Sequence, residues 1–188
     1  YISKTTIYCN DRSVSSGSYN TGSTTFFYGG YTRLSSNKTP LYKCGANASN
    51  GLFESTQATA DKFSASTEGG GNGQLKYPIA LMTADEISFA GGVYGTSLSS
   101  PYACYYTNSA SGSITGTNWW WLLSSYNWSG SYSGVFYVYG SDYPGGLSYD
   151  YVYNSRAVRP VVSLASCAQI TGTGTSADPY RVDENSCN

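Results

Sequence analysis

The segment NWWWLL, residues 118–123, is one of the longest apolar clusters of the sequence and predicts a hydrophobic strand. A second strand is predicted over residues 135–139, where Phe136 and Val138 alternate with two tyrosines. Successive side chains of a strand point to opposite faces, so this strand should be half-buried, with its tyrosines on the second face. The alternate tyrosines of residues 149–153 should likewise share one face.

The apolar run VRPVVSL, residues 158–164, predicts a central strand. Pro160 cannot donate a ladder hydrogen bond, which indicates a bulge or a strand start at that position. The tail over residues 170–182 predicts a turn-linked hairpin. The strands on either side of the tyrosine-rich segment should form the core, whose expected residues are Trp120, Trp121, Val158, Val162 and Leu164.

The clearest helix signal is TADE, residues 83–86, which matches a capping box with Thr83 at the N-cap and Glu86 three residues on. The pair Gly91-Gly92 should end this helix, and residues 77–82 before it predict a short buried strand. Asp85 and Glu86 favour a capping role over acid–base chemistry, because adjacent helical residues point in different directions.

The first third of the chain is rich in turn sequences, with short strands predicted over residues 24–28 and 40–44. We therefore expect two parts. Residues 1–74 should form a strand- and loop-rich N-terminal part that packs on the same domain as residues 75–188, the ligand-binding part. The predicted class is α+β, a strand- and loop-rich mixed fold with one or two short helices.

The composition excludes several classes of protein. Charged residues make up 11% of the 188 residues and aromatic residues 16%, including 20 tyrosines, so disorder is not expected. The net charge of −1 with no basic cluster excludes a nucleic-acid interface. No apolar run is long enough to span a bilayer, so membrane attachment would need a segment outside this chain. The chain begins at Tyr1 without Met, and we expect a processed ectodomain.

Five cysteines without a C-x-x-C pair indicate disulfides rather than a zinc site. We predict the pairs Cys9–Cys44 and Cys167–Cys187, each within one terminal region, with Cys104 left unpaired. Disulfides imply an oxidising compartment and hence an extracellular or cell-surface location. The alternative is a cytosolic protein with five free thiols.

The absence of histidine removes the usual general base and the Ser-His-Asp and Cys-His arrangements. No phosphate-binding glycine motif occurs. Asp142, Asp150 and Asp178 could supply oxygen ligands to calcium, but their spacing matches no calcium loop. We therefore expect no enzyme, no metal and no cofactor.

The segment over residues 129–155 lacks Lys, Glu, Gln, Met and Trp and consists largely of Tyr, Ser, Gly, Asp, Asn and Val. This composition is typical of paratopes, where Tyr supplies contact area and Ser, Gly and Asn adapt. The alternatives are a Tyr-rich solvent face without a ligand and a carbohydrate platform. The residues that we expect to bind ligand are Tyr126, Trp128, Tyr132, Tyr137, Tyr139, Tyr143, Tyr149, Tyr151 and Tyr153.

Several motifs together resemble a family of bacterial surface and pilin-like proteins. They are YPIALMTADE (77–86) with AGG (90–92), WWLLS (120–124), VRPVVSL (158–164) and GTGT with DPY in the tail. The C-terminal part of that family is similar to the C-type lectin fold of the formylglycine-generating-enzyme-like branch. This branch also includes the variable proteins of diversity-generating retroelements. The resemblance covers residues 75–188, and more weakly CNDR (9–12) and KC (43–44).

The resemblance implies a mixed fold in which an irregular insertion displays the ligand site. In diversified relatives the variable residues lie just before the final core strand. By this resemblance, the variable residues correspond to residues 125–155 here. Mutated adenines in Asn codons yield Tyr, Ser, Asp, Gly, Val and Phe, in agreement with the bias of this segment. The oxidising cysteines of the enzymes in that branch have no counterpart here, so their activity is not transferred.

The sequence thus predicts an extracellular, adhesin-like module that binds a protein or glycan ligand on another cell or a phage. Pilus or envelope subunits are further expected partners. Two alternatives stay open at this stage: a structural minor pilin subunit without its own ligand, and a secreted glycan hydrolase that acts through carboxylates.

Overall fold

The computed structural model describes residues 1–41, 60–65, 73–98, 118–140, 143, 145–175 and 177–187. Within these ranges the chain is rich in strands and has few short helices, an α+β arrangement. The helices are α1 (Gly29–Tyr31), which continues into a π-helical turn (Thr32–Ser36), and α2 (Ala84–Phe89). The strands are β1 (Tyr8–Asp11), β2 (Val14–Ser16), β3 (Phe26–Tyr28), β4 (Ala60–Ser64), β5 (Gly73–Gln74), β6 (Ala80–Leu81), β7 (Val93–Tyr94), β8 (Trp120–Trp128), β9 (Ser133–Val138), β10 (Gly146–Tyr151), β11 (Ala157–Val158), β12 (Pro160–Val161), β13 (Ile170–Thr171) and β14 (Arg181–Val182).

The main sheet has the strand order β2-β3-β8-β9-β10-β7, and β11 also pairs with β8. Strand β8 is antiparallel to β3 and β9 and parallel to β11. Phe26 of β3 lies opposite Trp128 of β8. The N-terminal third of the chain therefore contributes strands to the sheet that carries the tyrosine-rich segment. Smaller sheets are formed by β1-β4-β5, β6-β12 and β13-β14.

The core lies between one face of the main sheet and helix α2. Inward side chains of β8, β9 and β10 alternate along each strand, as the period of two requires. They pack with Ala84 and Ile87 of α2, both of which are fully buried. The buried sheet residues of this cluster are Trp120, Leu122, Tyr126, Phe136, Val138 and Leu147.

Helix α2 confirms the predicted capping box. The Thr83 hydroxyl accepts a hydrogen bond from the Glu86 backbone N–H, and the Glu86 carboxylate accepts one from the Thr83 backbone N–H (2.7 Å). The buried Ser124 hydroxyl accepts from the Ala84 N–H (2.9 Å), which ties the start of the helix to β8. Gly91, at φ 101°, follows the helix in a conformation that side chains other than glycine rarely adopt.

A buried guanidinium joins three distant segments. Arg33 in the π-helical turn donates two parallel hydrogen bonds to Asp85 (2.8 Å each) and one to Asp11 of β1 (2.6 Å). Burial by itself would lower the pKa of Arg33, but the adjacent carboxylates outweigh burial, so the pKa is raised and Arg33 stays charged. Asp85 therefore does more than interact with the helix dipole, because it anchors α2 to the N-terminal part.

The expectation of a buried central strand over residues 158–164 is wrong. Val158 is 63% exposed, and Val162 and Leu164 are exposed as well, whereas Trp120 is buried and Trp121 half-buried. The chain changes sheets within this run, because residues 157–158 pair with β8 and Pro160 starts β12 beside β6. Pro160 thus marks a strand start, one of the two predicted outcomes.

An open apolar groove of about 430 Å³ borders this segment, lined by Phe63, Leu75, Ile79, Ala80, Leu81, Leu123, Val158 and Pro160.

The cysteines within the described ranges are all disulfide-bonded. The predicted Cys167–Cys187 bond is present and joins the two ends of the C-terminal hairpin region. Cys9 is also disulfide-bonded. Residues 40 and 41 of the strand predicted over 40–44 are not in a strand, and residues 42–44 lie outside the described ranges. Cys104 lies outside them as well, so the Cys9–Cys44 pairing stays a prediction.

Replacement of Arg33 by Ala should lower the free energy of unfolding by about 3–5 kcal/mol, because two buried carboxylates would lose their partner. The matched control is Arg181→Ala, which removes an exposed ion pair with Asp178 (3.2 Å) and should cost at most about 1 kcal/mol. Urea denaturation of both variants measures the difference. Equal losses would mean that the pairing of Arg33 with Asp11 and Asp85 contributes no more to stability than an exposed ion pair.

Peptide mapping by mass spectrometry, after alkylation without reductant, should yield Cys9–Cys44 and Cys167–Cys187 peptides and an alkylated Cys104. Disulfide-bonded thiols do not react with the alkylating reagent, which is why only the unpaired cysteine should be labelled. A Cys9–Cys104 peptide would overturn the predicted pairing, and labelling of all five cysteines would overturn the disulfide scheme altogether.

Candidate functional site

The nine residues predicted to bind ligand fall into separate environments. Tyr126 lies in the core, and the half-buried Tyr149 packs against it. The outer face of the main sheet carries Tyr137, Tyr139 and Tyr143. One end of the sheet carries a cluster of Tyr132, Tyr151 and Tyr153, and Trp128 is the last residue of β8.

Tyr126 was expected on the ligand face, and the structure corrects this. Its side chain is only 4% exposed, its ring stacks on that of Tyr149 (centroids 3.8 Å apart), and its hydroxyl shares a hydrogen bond with that of Tyr94 (2.8 Å). The cause is the alternation of β8, which turns Tyr126 inward together with Trp120 and Leu122. Burial, followed by the hydrogen bond with Tyr94, raises the pKa of Tyr126.

Tyr137 is the second correction. It points away from the core, as predicted, but it is only 3% exposed because other rings cover it. Trp119 stacks on Tyr137 in parallel planes (5.0 Å), and Trp121 and Tyr139 contact it edge to face. Burial is the largest cause of its raised pKa. The Tyr137→Ala substitution is therefore expected to destabilise the fold, contrary to the surface role that the alternation pattern indicates.

Trp128 and Tyr143 are partly buried by local contacts. The Trp128 indole N–H donates to the Gly22 carbonyl (2.7 Å), which fixes the ring against the loop that precedes β3. The Tyr143 ring packs on Tyr139 (4.7 Å). These contacts give both side chains structural roles.

The tyrosine cluster, defined as Tyr132, Tyr151 and Tyr153, contains the two most exposed residues of the predicted set. Tyr132 and Tyr153 are 51% and 61% exposed, and Tyr151 is half-buried between them and the core. The ring centroids lie 4.8 Å (Tyr132–Tyr153) and 5.8 Å (Tyr132–Tyr151 and Tyr151–Tyr153) apart. The three rings form one continuous aromatic surface.

Two tight turns hold this cluster. In the β8–β9 hairpin the Ser129 N–H and hydroxyl both donate to the Tyr132 carbonyl (3.0 and 3.1 Å). Gly130 takes φ +91°, and a Cβ there would lie 2.2 Å from the Ser23 carbonyl oxygen, so only glycine fits. After β10, the Asn154 N–H donates to the Tyr151 carbonyl (3.0 Å), and this turn presents Tyr153.

Asp150 braces the second turn from the outer face of the sheet. One of its oxygens accepts hydrogen bonds from the Tyr151 N–H (2.8 Å) and the Asn154 amide (2.7 Å), and the other forms an ion pair with Arg156. Because the Arg156 charge is paired with Asp150, the turn beside the tyrosine cluster gains no net charge from this pair.

Arg156 and Trp119 form a second surface feature that sequence reasoning missed. The Arg156 guanidinium lies over the Trp119 ring, with its Cζ 4.8 Å from the ring centroid. Both residues line an open depression of about 400 Å³ together with Asn118, Ser155 and Ala157. Strand alternation could have predicted that Trp119 lies on the outer face, because it places Trp119 opposite the buried Trp120. Arg156 belongs to no recognisable motif, so the sequence held no comparable signal for it.

Within the described ranges, no three acidic, histidine or cysteine side chains converge on a point that could hold a metal ion. Asp150 and Asp178, two of the three candidate calcium ligands, each form an ion pair with an arginine, and Asp142 lies outside those ranges. No helix among the described residues is long and apolar enough to cross a membrane.

Comparison of the chain with protein-family models, curated protein sequences and solved structures yields no match. The resemblance to pilin-like proteins with a C-type lectin fold therefore stays a prediction from the sequence motifs.

The two buried tyrosines, Tyr126 and Tyr137, should make the stability of the fold depend on pH in the alkaline range. Tyr126 and Tyr137 have a raised native pKa, while an unfolded tyrosine ionises near pH 10, so stability is intact below about pH 10 and falls above it. Each such group should lower the free energy of unfolding by about 1.4 kcal/mol per pH unit in that window. Ultraviolet titration of tyrosinate, followed together with circular dichroism, measures both effects.

A variant tests this assignment. Tyr126→Phe should remove one tyrosine that ionises only with unfolding. A single ionisation step of all tyrosines in a protein that stays folded would contradict the raised pKa values.

Proposed function

We propose that this chain is an extracellular, adhesin-like binding module that contacts a ligand on another cell or a phage through the tyrosine cluster. One observation carries the proposal: the Tyr132 and Tyr153 rings contact each other and stand exposed, whereas Tyr126 and Tyr137 of the same tyrosine-rich segment are buried. The half-buried Tyr151 ring contacts both exposed rings. Tyrosine is enriched among the residues that dominate binding energy, since its ring gives a large contact area at low entropic cost.

The frame behind the cluster suits this role. The two turns are fixed by backbone hydrogen bonds and by Asp150, so little conformational entropy would be lost when a ligand binds. Ser131 and Ser133, which flank Tyr132, are exposed and can donate or accept hydrogen bonds. Neighbouring aromatic and small polar side chains are the combination that paratopes use.

A C-type-lectin-like architecture, a bacterial cell-surface location and retroelement diversification belong to the same proposal. Their support is the motif resemblance, the disulfides and the composition of residues 129–155. If the site is diversified, codons for the exposed Tyr132 and Tyr153 should vary within a population, while those for the buried Tyr126 and Tyr137 should not.

The described carboxylates give little support to the hydrolase alternative. Glycoside hydrolysis requires one carboxylic acid and one carboxylate on opposite sides of the bond to be cleaved. The buried Asp11 and Asp85 are instead both hydrogen-bonded to Arg33. This favours a structural use of the two acids.

The test is binding of the fluorescently labelled chain to a panel of intact bacterial cells and phage particles, measured by flow cytometry. The chain should bind at least one member of the panel saturably, and the double variant Tyr132→Ser/Tyr153→Ser should bind at least about tenfold more weakly, because two contact rings are lost. The melting temperatures of both proteins should agree closely, since exposed substitutions usually change stability by about 0.5 kcal/mol or less.

The control is Tyr77→Ser/Tyr180→Ser, which removes two tyrosines of similar exposure (60% and 62%) outside the cluster and should bind like the unmodified chain. Equal binding by the cluster variant would refute the tyrosine cluster as the contact surface. Polymerisation of the chain without capture of any cell or phage would favour the structural pilin subunit instead.

A further inference from the structure

The arginine depression, defined as Asn118, Trp119, Ser155, Arg156 and Ala157, lies on the outer face of the main sheet. Asp150 points to this outer face, whereas its neighbours Tyr149 and Tyr151 share the other face with the core and the tyrosine cluster. A ligand in the depression would therefore contact different side chains from a ligand on the tyrosine cluster.

The walls of the depression are held by regular structure. Strand β11 runs parallel to β8 with Ala157 opposite Trp120, and the Ala157 N–H donates to the Trp119 carbonyl (2.9 Å). The segment 118–119 and the segment 155–157 are thereby fixed side by side. A site built on paired strands is preformed and loses little entropy on binding.

The Arg156 guanidinium is fixed by several independent contacts. It lies over the Trp119 ring (4.8 Å) and near the Tyr137 ring (6.0 Å), it forms an ion pair with Asp150, and its Nη1 donates to the Ser155 carbonyl (3.1 Å). The Trp119 ring is fixed in turn by Tyr137 and Tyr139. Neither side chain needs to be ordered by a ligand.

The charge of the depression points to an uncharged ligand. Arg156 is the charged member of the lining, and Asp150 already neutralises it. An anion would have to compete with Asp150 for the guanidinium, and an apolar molecule would leave the Asn118 amide and the Ser155 hydroxyl without partners. A half-buried indole beside neutral donors and acceptors suits a molecule with both apolar C–H faces and hydroxyl groups.

We propose that the arginine depression binds a neutral saccharide. The part of the Trp119 indole that Tyr137 and Arg156 leave uncovered packs against the apolar face of a sugar ring. The Asn118 amide, the Ser155 hydroxyl and the second N–H of each Arg156 Nη nitrogen, which Ser155 and Asp150 do not use, hydrogen-bond the sugar hydroxyls. The site is separate from the tyrosine cluster and does not depend on the function proposed for it.

The test is a glycan microarray that carries neutral oligosaccharides beside their sialylated and uronate-containing counterparts. Saturation-transfer NMR with the neutral oligosaccharides then yields the dissociation constants. Asn118→Ala and Arg156→Lys should each weaken binding at least about tenfold, because each removes hydrogen bonds to the sugar and Lys lacks the planar donor fork of Arg.

Asn118 is exposed, so Asn118→Ala should leave the melting temperature unchanged and reports on binding even if Arg156→Lys disturbs the fold. The matched control is Arg181→Lys, which makes the same change in the exposed pair with Asp178 and should leave binding unaltered. The double variant Tyr132→Ser/Tyr153→Ser should also retain full sugar binding, which separates this site from the tyrosine cluster.

Several results would overturn the proposal. They are the absence of binding to every neutral oligosaccharide at millimolar concentration, binding of anionic glycans alone, or unchanged affinity in both Asn118→Ala and Arg156→Lys. Loss of sugar binding in the tyrosine-cluster variant alone would move the site to that cluster.

Discussion

Strand β8 packs aromatic rings on both of its faces, and the rest of the main sheet is arranged around this double packing. On the inner face Tyr126 lies against Tyr149, and on the outer face Trp121 lies against Tyr137. Aromatic rings thus contact both faces of the β8–β9 pair. Each ring also contacts a neighbouring strand. The packing of the rings therefore helps to set the positions of β9 and β10 and of the turns at their ends.

This arrangement shows why tyrosine content alone could not tell which tyrosines are exposed. Tyr126, Tyr137 and Tyr153 lie in one tyrosine-rich stretch, yet the first is in the core, the second is covered by other rings, and the third is exposed. Alternation assigns a residue to a face, but whether that face meets solvent depends on distant residues such as Trp119. Composition therefore predicted exposed tyrosines in this segment, but it assigned too many residues to the exposed surface.

Predictions that rest on a few adjacent residues were more reliable, because they do not depend on which distant segments pack together. The capping box at Thr83 and the glycine stop at Gly91 need only a few adjacent residues, and both are present in the structure. The run over residues 158–164 failed for the opposite reason. Its apolar character indicated burial, but its strands pair with β8 and β6, segments far away in sequence, and Pro160 divides the run between two sheets.

The pairing of arginines with carboxylates has a kinetic consequence. Arg33, Arg156 and Arg181 each neutralise an acidic side chain, so a chain that is already poor in charge directs little electrostatic field outward. Without such a field, the proposed ligand would meet the chain at the unsteered rate of about 10⁵–10⁶ M⁻¹s⁻¹, with a weak dependence on ionic strength. Long-lived attachment would then come from slow dissociation, and it would persist equally well in dilute and in salty surroundings.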